Sequence, residues 1–111
     1  MIVPFLRPPM AVIAYLQNPR ERFWGVIRSL EGTGIVLQGV DLESFDDCLR
    51  QCGERGDPSS LTTIFFPMHR VEKVLLDTAT GSIPSLTRRL EERVGQPLPA
   101  FLGLGKGPRR R

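Results

Sequence analysis

At 111 residues the chain is long enough for one domain with a real core and too short for two ordinary ones. Its 41% apolar and 24% charged residues, at a formal net charge of +3, exclude disorder as the main state. Four of the basic residues, Lys106, Arg109, Arg110 and Arg111, fall in the last six positions and leave eleven basic against twelve acidic residues in 1–105, so the basicity belongs to the tail.

Residues 1–9 (MIVPFLRPP) are apolar but hold three prolines, which block helix and remove sheet donors; they read as an extended arm. Met10–Gln17 is rich in β formers and ends at the turn signal Asn18-Pro19, giving a first strand. Phe23–Leu30 and Gly34–Leu42 flank Glu31-Gly32-Thr33, so a tight hairpin joins the second and third strands. Gly25 and Gly39 lie inside these strands. Glycine weakens a strand unless the strand bends or another backbone comes close, and strong bending suits a small barrel.

Ser44 stands where a helix cap is wanted, with Asp46 and Asp47 in the first turn, where acidic groups suit the helix dipole. A helix is predicted from about Phe45 to Cys52, ended by Gly53 and the polar run Gly56–Ser60. Phe45, Cys48, Leu49 and Cys52 recur at i, i+3, i+4 and i+7, the stripe that a helix turns to a core. The two cysteines therefore read as packing residues, and with His69 the sole histidine one chain cannot readily complete a Cys/His metal site. No metal and no cofactor are expected.

Leu61–Met68 gives a fourth strand that ends near Pro67, which cannot donate to a ladder. His69-Arg70 links it to a fifth strand at Val71–Asp77. A second helix is predicted near Pro84–Val94, with Ile83, Leu86, Leu90 and Val94 as its apolar side and Gly95 as its stop. The rest, 96–111, has three prolines, three glycines and no period; it reads as a flexible basic tail. The expectation is a mainly β, α+β chain: a five-stranded, strongly bent antiparallel small barrel in residues 10–95, with one helix after strand three and one after strand five.

Residues 12–42 and 61–77, three bent strands with an early glycine in the second, then two short strands, resemble the Sm-like family, including its Hfq branch; other SH3-like barrels show similar alternation. The resemblance implies a small open barrel, RNA binding by a ring of subunits, Gly25 as the bend of the second strand, and Met68-His69-Arg70 as a turn carrying RNA contacts. The inserted helices are expected to lie over an edge used for assembly.

His69 and Arg70 at one turn, with Arg20 and Arg22 at another, are candidate contacts to phosphate and base, joined by the tail cations Lys106, Arg109, Arg110 and Arg111. Trp24 is a candidate stacking or protein-anchoring ring, and Phe101 a docking residue on the tail. No nucleophile, base and orienter stand out, and no phosphate-cradling glycine motif precedes a helix, so an enzyme is not expected. Met1–Leu6 lacks the charged start and cleavage site of a secretory signal, and no uncharged stretch reaches the roughly 18 residues of a spanning helix. The reading is a non-enzymatic, cytoplasmic binding module for RNA, or else a protein-interaction subunit that uses its termini.

Overall fold

A computed structural model describes residues 9–104. Five strands and three helices follow one another: β1 (Ala11–Leu16), β2 (Glu21–Glu31), β3 (Gly34–Asp41), α1 (Phe45–Arg55), β4 (Thr62–Pro67), β5 (Val71–Leu76), α2 (Leu86–Val94) and α3 (Leu98–Phe101). The strands form one antiparallel sheet in the order β4-β3-β2-β1-β5. This is the expected α+β, five-stranded antiparallel architecture. The sheet is not closed into a barrel, because β4 and β5 remain its two edges.

The curl of the sheet follows from a short link. β4 and β5 lie at opposite edges, yet only the three residues of a 3-10 turn, Met68–Arg70, join them. Four strand spacings in a flat sheet span about 19 Å, whereas four residue steps reach at most about 14 Å. The edges must therefore approach each other. Three local devices supply the bend: register shifts between Ile27 and Ser29 and between Tyr15 and Leu16, and the facing pair Gly25 and Gly39. A Cβ on Gly39 would run into the carbonyl of Trp24 and the Cα of Gly25, so β2 and β3 touch backbone to backbone at this crossing, as expected for glycine there.

Over the middle of the central strands both faces are buried. Inside the curl lie Val12, Ala14, Leu16, Phe23, Ile27, Ile35, Leu37 and Phe66, with Phe23 and Phe66 edge to face at 5.3 Å. On the outer face Trp24 and Val26 meet Phe45, Cys48, Leu49 and Cys52 of α1, Leu90 of α2, and Leu98 and Phe101 of α3. The predicted α1 stripe is thus the face that packs. Asp46 binds Arg89 of α2 at 2.6 Å, and Gly53 leaves room for the Arg93 side chain between the helices. The helices cover a face of the sheet, not its edges, contrary to the expectation.

Several boundaries differ from the sequence reading. α1 runs through Gly53 to Arg55 and stops at Gly56 in the left-handed region, φ 74°. Ser44 precedes it without making a side-chain cap. Ile83 lies outside α2 and is 67% exposed, because Pro84 disfavours helical geometry before it and the Ser85 hydroxyl takes the cap, accepting from Arg88 N–H. Part of the segment read as tail, up to Leu104, packs on the domain: Pro97 precedes α3, Glu91 accepts from Leu98 N–H at 2.7 Å, and Leu98 and Phe101 are buried. Phe101 is therefore a core residue of its own domain and not a docking ring.

Candidate functional site

Trp24 sits midway along β2 and is fully buried. Its ring meets Phe45 edge to face at 5.5 Å, and its indole N–H donates to Asp77 Oδ2 at 3.0 Å. The same carboxylate accepts from Leu86 N–H, Thr87 N–H and the Thr87 hydroxyl. Asp77 thus ties the sheet to the start of α2 and satisfies donors that a helix terminus leaves open. The expected stacking or anchoring role of Trp24 fails because the helical layer covers its face. Phe23, on the other face, is buried too.

The sequence places His69 and Arg70 on one turn and Arg20 and Arg22 beside another, and the fold brings the two turns together. Gln17 N–H donates to Arg70 C=O and Gln17 Nε2 to His69 C=O. The Arg70 guanidinium donates to the carbonyls of Gln17 and Pro19 and to Glu21 Oε2, the last at 2.7 Å. It also lies over the Phe66 ring, 5.8 Å from the centroid. With its donors directed inward and its side chain 20% exposed, Arg70 staples the β4–β5 turn to the β1–β2 turn. His69 is exposed. Lys106, Arg109, Arg110 and Arg111 lie outside the described residues.

Arg20 and Arg22 instead line a groove of about 640 Å³, together with Tyr15, Glu21, Asp41, Leu42, Glu43, Glu72 and Lys73. Tyr15 pairs across the ladder with Arg22 on β2 and with Lys73 on β5. These three form one row on the outer face, opposite Val12, Ala14 and Leu16. Lys73 Nζ lies 4.8 Å from the Tyr15 ring centroid. Among the described residues Arg20 and Arg22 make no ion pair, whereas Arg50, Arg70, Arg88 and Arg89 all do. Sequence reasoning did not single out Tyr15 or Lys73, since their meeting depends on strand register. The one available signal was parity: Tyr15 alternates with the inward Val12, Ala14 and Leu16.

A second exposed feature lies along the sheet edges. Phe65 on β4 is 52% exposed, and Leu75 and Leu76 on β5 are 44% and 39% exposed. Val36 and Phe65 are ladder partners on the outer face of the β3–β4 pair. Ile13, Val74, Leu75, Leu76, Asp77, Thr78 and Thr80 line a shallow groove beside β5.

The cysteines offer no reactive centre in the folded chain. Both are buried, and Cys48 Sγ faces the Ser60 carbonyl at 3.7 Å while Cys52 Sγ stands 3.4 Å from the Ser60 hydroxyl. Burial, then the neighbouring Cys52, pushes the Cys48 thiol up to about 11, which holds it in the poorly nucleophilic form. Among the described residues no three His, Cys, Asp or Glu side chains stand close enough to hold a metal ion, and no helix is long and apolar enough to cross a membrane. Comparison with protein-family models, curated proteins and solved structures finds no match to this chain.

Proposed function

We propose that the chain is a non-enzymatic binding module that acts as a subunit of a protein assembly, associating through the open edges of its sheet. One observation carries this reading: of the four large apolar side chains left exposed among the described residues, three, Phe65, Leu75 and Leu76, lie on the two edge strands. An edge presents unpaired N–H and C=O groups that another strand can satisfy. Apolar side chains beside it add area to such a contact. The likeness to the Sm-like pattern, three strands and then two short ones at the edges, supports the same reading and favours a second copy of the chain as partner.

RNA binding by turn cations and an exposed ring has less support. Trp24 is buried, Arg70 is engaged within the fold, and residues 9–104 hold ten basic against twelve acidic residues. A body of that charge gives little of the phosphate attraction on which non-specific RNA binding rests.

The test is native mass by light scattering across a concentration series, with Phe65→Asp and Leu75→Asp as variants. The expected result is a defined oligomer of wild-type protein and a monomer for at least one variant, each keeping the wild-type far-ultraviolet spectrum. Wild-type protein that stays monomeric at about 100 μM, where even a 10 μM self-contact is mostly formed, overturns self-association.

A further inference from the structure

The row Lys73–Tyr15–Arg22 and the groove around it reach the edge strand β5 at Glu72 and Lys73 but include none of the exposed apolar side chains, and have a chemistry of their own. The lining carries three cations, Arg20, Arg22 and Lys73, and four carboxylates, Glu21, Asp41, Glu43 and Glu72. Glu21 is already bound to Arg70. The other three acids and the two arginines make no ion pair among the described residues, with one another or with anything else. Unpaired charges of both signs around one aromatic ring, in a space of ligand size, restrict what fits.

A bare polyanion meets repulsion from three carboxylates. A metal cation meets two guanidinium groups and an ammonium. The lining complements a ligand with an anionic end, a flat ring and a rim of hydrogen-bond donors. A nucleotide has all three: its phosphate suits Arg20 and Arg22, whose guanidinium forks match phosphate geometry. Its base has a face for Tyr15, and an exocyclic amino group donates to a carboxylate, as cytosine N4 does to Glu or Asp. Lys73 lies over the ring on a flexible stem, so its ammonium is able to move from the ring to the phosphate as the base arrives.

We infer that this groove binds a single nucleotide unit whose base bears an amino group. Adenine, cytosine and guanine qualify; uracil does not, since the carbonyls flanking its N–H repel the carboxylates. The inference does not depend on the assembly reading, because none of these side chains is among the exposed apolar residues of the sheet edges.

The experiment titrates AMP, CMP, GMP and UMP, each up to about 10 mM, into isotope-labelled full-length protein at low salt, following backbone amide shifts. The expected result is movement confined to Tyr15, Arg20, Arg22, Glu43, Glu72, Lys73 and their neighbours, with UMP about tenfold weaker than CMP. Tyr15→Leu should weaken every nucleotide about tenfold, and Tyr15→Phe should restore binding, since the ring and not the hydroxyl carries the stack. Arg20→Gln with Arg22→Gln should weaken all four alike, whereas Glu43→Gln with Glu72→Gln should narrow the difference between CMP and UMP. Native mass, read in parallel, separates this outcome from that of the assembly. No groove shift at the highest concentration, UMP binding as well as CMP, or binding indifferent to the paired arginine changes would each overturn the inference.

Discussion

The central strands β1 to β3 and the edge strands β4 and β5 belong to one sheet and are similarly rich in β-forming residues, yet their exposures are opposite. β2 buries five consecutive residues, Phe23 to Ile27, whereas β5 buries none and β4 only Phe66. The cause is the helical layer, which covers the outer face of the central strands around Trp24 and Val26 and stops short of the edges. Apolar content thus tells where strands form but not which faces are closed. Phe65, Leu75 and Leu76 are surplus to the described core, which is why a partner is proposed at the edges and not at the better-formed centre.

The sharpest way to break this contrast is at the β2–β3 crossing. Gly39→Ala places a methyl against the backbone of Trp24 and Gly25, where no flexible side chain is able to yield. We expect a loss of about 3 kcal/mol or more, at or beyond the upper end of ordinary overpacking. Gly32→Ala, in the hairpin turn with nothing within 4 Å of the added atom, should stay within about 0.5 kcal/mol. Chemical denaturation of the two variants is the measurement, and equal midpoints would refute the idea that close backbone approach explains Gly39.

A smaller effect is expected where sheet and helices are tied. Asp77→Ala removes the acceptor for the Trp24 indole and for two backbone N–H groups of α2, leaving part-buried donors open. The loss should be about 2 kcal/mol. A double-mutant cycle with Trp24→Phe should show a coupling of about 0.5 kcal/mol or more if the indole contact matters beyond packing. Additive losses would reduce Asp77 to a helix cap alone.

The same tie explains what the sequence could and could not tell. All five strands and both longer helices were legible because their periods are clear and Gly, Pro and Asn mark the breaks. Trp24 was misread because strand alternation separates two faces without saying whether the second is covered. The missing signal was in α1: a stripe of Phe45, Cys48, Leu49 and Cys52 needs an apolar partner, and the outer face of β2 is the available one. Phe101 was misread because α3 is four residues long, too short to show a period. Arg70 looked like a free cation because its partners Gln17, Pro19 and Glu21 lie about fifty positions away. For the groove, Arg20 and Arg22 were legible as cations, but the register that sets Tyr15 between Arg22 and Lys73 is a tertiary fact.

The smallest expected effect sharpens the contrast from the helix side. Cys48 is held by α1 against the covered face, and its thiol is raised from the ordinary 9.0 to about 11. A thiol raised on folding favours the fold fully below the unfolded value, and that contribution is lost as pH climbs through the folded one. Between pH 9 and 11 the wild-type protein should therefore lose stability more steeply than Cys48→Ala, which lacks the group. Near pH 8 a thiol reagent should modify the native protein far more slowly than the denatured chain. If modification is fast while the strands keep their amide protection, the helical cover lifts from the sheet as a separate unit, and the central strands are closed on that face only part of the time.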